Sequence, residues 1–123
     1  MVRMAVTTID ISYARHKVEQ YFTDFDKMKR TIGNNETKAV KRRINELIAS
    51  TSFYEYLVLN LGNPHSLSGE LSDCYSVSIT GNTRLIVRPL CENHKPETLI
   101  ICTGFEVIGV VNYHEGKEEW LIP

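Results

Sequence analysis

An α+β fold is what the sequence predicts: an N-terminal strand and two to three helices packed on one face of a twisted antiparallel sheet. Three observations carry this. Apolar positions between Val18 and Ile48 recur every three or four residues, those from Tyr75 to Val87 alternate around a Gly81-Asn82 pair, and Thr98 to Val111 is rich in Leu, Ile and Val. Helical periodicity followed by strand periodicity segregates the helices to one side of a sheet and leaves the other side as the natural place for a site.

The elements follow in order. Val6, Ile9 and Ile11 among Thr and Asp suggest a short first strand. From Ser12, a plausible N-cap, Val18, Phe22, Phe25 and Met28 form one apolar helix face that Gly33 terminates. Asn34 or Asn35 can cap a second helix whose stripe is Val40, Ile44, Leu47 and Ile48; its opposite face holds Lys38, Lys41 and Arg42. Phe53 to Leu61 suits a short third helix, and the Gly, Asn, Pro and Ser residues from Gly62 to Gly69 make a loop. Tyr75, Val77 and Ile79 then alternate with Ser76, Ser78 and Thr80, Gly81-Asn82 turns the chain, and Leu85 to Val87 returns as a second strand that Pro89 ends. Thr98 to Val111 reads as a long final strand, bulged or bent at Gly104 or Gly109, and the acidic Glu115 to Glu119 as a solvent-exposed tail from which Trp120 packs back.

At 123 residues, 42% hydrophobic and 24% charged, the chain has the size and composition of one folded domain, taken as residues 1–123. No apolar run approaches the ~20 residues that span a bilayer, and no secretory pattern opens the chain, so a cytoplasmic location without a membrane partner is expected. Cys74, Cys91 and Cys102 are odd in number and lack CxxC spacing, and His16 and His94 lack ligand spacing; no metal and no cofactor is expected. The net charge of -1 conceals an asymmetry: residues 1–60 hold ten Lys/Arg against seven Asp/Glu, and residues 61–123 hold four against eight. Such a balance gives no electrostatic reason for strong nonspecific nucleic-acid binding.

Three segments, in order, resemble the RelE/ParE toxin superfamily and its HigB-like killer-protein branch: MKRTIGNNETKAVKRRINELIAS for the second helix, GNPHSLSGELSDCYSVSITGNTRLIVRP for the loop and hairpin, and IGVVNYH for a terminal strand. The combination of His65-x-Leu67-x-Gly69, Arg84-Leu85-Ile86 and Tyr113-His114 is what makes the resemblance specific. It implies a single toxin domain with its active surface on the helix-free side. It also implies the toxin component of a bacterial type II toxin–antitoxin system, a ribosome-dependent mRNA endoribonuclease restrained by a cognate antitoxin, commonly of helix-turn-helix type. A sister branch instead poisons DNA gyrase.

Metal-free RNA cleavage needs the 2′-hydroxyl deprotonated, the phosphate charge stabilised and the leaving 5′-oxygen protonated. The resemblance assigns phosphate stabilisation to Arg84, whose guanidinium suits a bidentate grip, and proton transfer to His114, since an imidazole titrates near neutrality. Tyr113 completes the catalytic group by stacking on a base or hydrogen-bonding phosphate, with half-buried packing an equal alternative. His65, Arg88, Asn112, Ser76 and Ser78 are the candidate substrate contacts. By residue type alone, Arg84 would be a surface arginine beside a turn, His65 a loop hydrogen-bonder, and Arg88 a partner for Glu92.

The departures point the other way. Nuclease members commonly carry lysines where Ser76 and Ser78 stand, a basic residue where Ser68 stands, and an acid where Asn112 stands. A hydroxyl does not replace an ammonium, and an amide is no general base. The alternative is therefore a non-catalytic binding module, either gyrase-inhibiting or a decayed member that only binds an antitoxin. In both versions Lys38, Lys41 and Arg42 form the partner-facing ridge, although a solvated face is the commoner fate of such a cluster.

Overall fold

A computed structural model describes residues 9–123. Of the expected first strand, Val6 lies outside the described residues; the strand that is described, β1, spans Asp10–Tyr13. The apolar face between Ser12 and Gly33 belongs to two helices rather than the expected one, α1 (His16–Thr23) and α2 (Phe25–Ile32). Arg15, not Ser12, occupies the N-cap of α1. Asp24 breaks the run because its backbone turns extended while its carboxylate accepts from Lys27 N at 3.2 Å, capping the next helix. Gly33 ends α2 at φ +99° and itself caps α3 (Asn34–Ala49), so Asn34 and Asn35 lie inside that helix. Helix α4 (Phe53–Leu59) starts from Ser52, whose hydroxyl accepts from Glu55 N at 3.1 Å, while the Glu55 carboxylate reaches back to Thr51 N at 3.0 Å.

The sheet holds six strands. Beside β1 they are β2 (His65–Ser66), β3 (Tyr75–Thr80), β4 (Thr83–Pro89), β5 (Gly104–His114) and β6 (Lys117–Ile122). Their order is β1-β5-β4-β3-β2, with β6 also on β5. The sheet is mixed, not antiparallel throughout, since β1 runs parallel to β5. Ninety residues of intervening chain impose no tight turn on that pair, so nothing local fixes its direction.

Two further expectations are corrected. Thr98 is not in a strand: Pro96–Leu99 forms a short helix, α5, and β5 begins only at Gly104. The segment Glu115 to Glu119 is not a free tail either, because Glu115 and Gly116 turn the chain at positive φ and β6 returns along β5. The bend does fall at Gly109, where β4 and β5 shift register opposite Ile86 and Val87.

The helices bury Val18, Phe22, Met28, Ile32, Val40, Ile44, Leu47, Phe53 and Tyr56 against Tyr75, Val77, Ile79, Leu85, Val87, Phe105, Val107, Val110 and Ile122. These are the alternate residues of the strands, as a half-covered sheet requires. Gly62 threads between helix and sheet, where a Cβ would stand 2.7 Å from Val77 Cγ1 and 2.8 Å from Arg43 Nε. Its carbonyl accepts from Ser78 N at 2.8 Å, and Arg43 Nε donates to Ser78 O at 3.0 Å, which closes the outer edge of β3 beyond the two residues of β2.

Candidate functional site on the helix-free face

Strand register decides which side chains meet. His65 pairs with Ser76 and Ser76 with Ile86; one step along the strands, Ser78 pairs with Arg84, Arg84 with Val111 and Val111 with Trp120. Directly paired residues point to the same side of a sheet. His65, Ser76, Ser78, Arg84 and Arg88 therefore share the helix-free face, and Tyr113, two residues from Val111, joins them.

His114 does not. It follows the parity of Asn112 and the core residue Val110, so it leaves β5 on the side opposite Arg84. There Nδ1 of His114 lies 3.0 Å from Asn112 Oδ1, and Asn112 Nδ2 donates to Thr83 Oγ1 at 3.2 Å. The amide thus orients the imidazole, but away from the guanidinium. The expected pairing of Arg84 with His114 at one phosphodiester is not formed, because neighbouring residues on a strand project to opposite faces.

Arg84 is half-buried, and its Nη1 donates to the hairpin carbonyls of Gly81 at 2.6 Å and Thr83 at 3.0 Å. Tyr113 is its charged-face neighbour: burial and then Glu118 push the phenol up, while Arg84 opposes them, so the hydroxyl remains a proton donor near neutral pH. Ser76 is buried at 4% exposure between its strand partners His65 and Ile86, so it is no open contact for a ligand.

Arg88 is neutralised. It pairs with Glu106, which stands directly across from it on β5, and with Asp73 at 3.4 Å, rather than with Glu92. Partial burial pushes Asp73 up, but the Cys74 thiol and then Arg88 outweigh it and hold the carboxyl below its ordinary range. Cys74 is pushed the other way, to about 12, by burial and by donating to Asp73. Asp73 and Glu106 are the functional neighbours that sequence reasoning missed; the Arg88–Glu106 pair depends on the register beyond the Gly109 bulge, which no local pattern reports.

The middle of this face is apolar. Cys74, Ile86 and Val111 form a second small core, covered by Leu67, Leu71, Ile108, Tyr113 and Trp120. Its cover comes from the loop before the hairpin, from β5 and from β6. On the other side of the molecule, Lys38, Lys41 and Arg42 are all exposed on α3, Lys41 Nζ lies 4.4 Å over the Phe25 ring, and none of the three meets a carboxylate among the described residues. The described residues hold no group of three or more His, Cys, Asp or Glu placed to bind a metal, and no helix among them is long and apolar enough to cross a membrane. No protein-family model, no curated protein and no solved structure matches the chain significantly.

Proposed function

We propose that the chain is a RelE/ParE-like member of a toxin–antitoxin system that acts by binding a protein partner and not by cutting RNA. The observation that carries the second half is the placement of Arg84 and His114 on opposite faces of one sheet. Three others support it: Arg88 is held between Asp73 and Glu106, Ser76 and Ser78 stand without ammonium charge, and the helix-free face is centred on an apolar cluster. Together these remove the concentrated positive charge that RNA affinity depends on.

The first half rests on the sequence resemblance and on an arrangement compatible with it, helices on one face of a sheet that holds the β3–β4 hairpin and a strand closing on Tyr113-His114, to which β6 is added. The partner is an antitoxin that lays acidic or apolar side chains over Lys38, Lys41 and Arg42, the exposed cations of α3. Charge reversal of all three to Glu should weaken binding of the protein encoded beside this chain at least tenfold. Unchanged affinity refutes the ridge as the partner surface.

A single experiment separates binding from cleavage: RNA sequencing after controlled induction. Growth arrest with intact transcripts, or no arrest, fits the binding module, and plasmid-relaxation assays then test gyrase as the target. In-frame mRNA cuts that vanish in both Arg84→Ala and His114→Ala would overturn the proposal. One observation favours a narrower nuclease reading, in which Arg84 and Tyr113, neighbours on one face, hold the phosphate and donate the proton without His114. Cuts lost in Tyr113→Phe but kept in His114→Ala would establish that version.

A further inference from the structure

At the far end of the sheet from the hairpin, β4 and β5 leave their pairing beside an open cavity of about 600 Å³. Cys91 and Cys102 both line it, with Leu90, Glu92, Ile101 and Thr103. Leu90 N donates to Gly104 O at 2.9 Å, which ties the two segments together at the cavity rim, and Cys91 packs against the same core cluster that buries Cys102. Both side chains thus reach one space from two segments held side by side, as an internal disulfide requires.

We infer that Cys91 and Cys102 are a paired-thiol site that reacts with low-molecular-weight disulfides and closes into an internal, reversible Cys91–Cys102 disulfide. Exposure sets the order of attack. Cys91 is half-buried and Cys102 is only 3% exposed, so Cys91 meets the incoming disulfide and Cys102 resolves it. The Cys91 thiolate attacks one sulfur of oxidised glutathione, breaking its S–S bond and releasing one glutathione thiolate. The Cys102 thiolate then attacks the Cys91 sulfur of the mixed disulfide and expels the second. The protein loses two electrons and two protons, and both electrons end on glutathione.

Burial pushes the Cys91 thiol up to about 11, with the Cys102 side chain adding to this, so the attack is slow at neutral pH and quickens as pH rises. In the reduced state Cys91 donates to Asn93 O at 3.2 Å and Cys102 to Gly104 O at 3.4 Å, weak bonds that oxidation gives up. The new bond would tie down the segment carrying α5 and the exposed Ile100 and Ile101.

The test uses the full chain and oxidised glutathione at alkaline pH, read by intact mass and by digestion after glutamate, which cuts at Glu92 and Glu97 and so separates the two cysteines. The expected product has lost two hydrogens, shows a Cys91–Cys102 peptide pair, keeps one free thiol when denatured, and reverts on reduction. Cys74→Ser should give the same link, whereas Cys102→Ser should stop as a lasting glutathione adduct on Cys91. Three free thiols after treatment, a wild-type chain that retains glutathione, or a link through Cys74 would each overturn the inference.

Discussion

Replacing Gly109 with alanine places a methyl group against the end of β6, which pairs along β5. The added Cβ would stand 2.1 Å from the Ile122 carbonyl oxygen and 3.1 Å from a ring carbon of Trp120. A carbon and an oxygen in contact need roughly 3.3 Å, the lower limit even of weak C–H···O approaches, so one strand must move by about 1 Å. The obstacle is backbone, which no rotamer change relieves, and Ile122 is fully buried in the main core while Trp120 covers the second. The cost should therefore fall at the upper end of overpacking effects, about 3 kcal/mol, or roughly a 10 °C fall in Tm for a domain of this length. Gly104 is the internal control. It lies in the same strand without positive φ, and its added Cβ would meet only ordinary contacts, at 3.6 Å or more. Gly104→Ala should stay within about 0.5 kcal/mol of the parent or gain slightly from the stiffer unfolded chain. Urea titration followed by far-UV circular dichroism measures both. If Gly109→Ala unfolds at the parent midpoint, or if the two variants lose equal stability, the close approach of β6 to Gly109 is wrong.

Alkaline stability should depend on Tyr56. Burial first of all raises its phenol well above the ordinary value, with Arg43 opposing and Glu46 assisting, so the folded state holds the proton more tightly than the unfolded chain. That contribution is complete below the unfolded pKa of ~10 and is lost as pH rises beyond it. Tyr56→Phe should cost about 1 kcal/mol near neutrality, because Leu61 O loses its 2.6 Å donor, yet flatten the fall in stability between pH 10 and 12. An alkaline slope equal to the parent's would show that this phenol is not responsible. Ile86→Ala tests the second core: the side chain is fully buried among Cys74, Val111 and their cover, so a loss of about 3 kcal/mol is expected. A loss below about 1 kcal/mol would mean that the cover is loose and the helix-free face open to ligands.

Particular residues show where sequence reasoning reached. The stripe Val40, Ile44, Leu47 could be read because a helix buries one face at a period its own sequence carries, and α3 buries those three residues. The hairpin was legible for the same reason, with Tyr75, Val77 and Ile79 inward and Gly81 at the turn. Asp24 was not read as a break, since a capping residue inside a continuing apolar pattern looks like any polar helix position. The Lys117–Ile122 strand was missed because its exposed residues, Lys117, Glu118 and Glu119, carry no apolar alternation; it is a strand through pairing with β5.

By itself, the sequence determined the α+β class, the helix-covered face of the hairpin, and the residues from which a site has to be drawn. Tertiary structure alone decided the parallel seating of β1, the neutralisation of Arg88 by Asp73 and Glu106, and the separation of Arg84 from His114. Local periodicity is written along the chain, whereas the partner of a strand and the register of that pairing join residues tens of positions apart. A shift of one residue there exchanges the faces, so chemistry that needs two side chains together is settled only when the sheet is assembled.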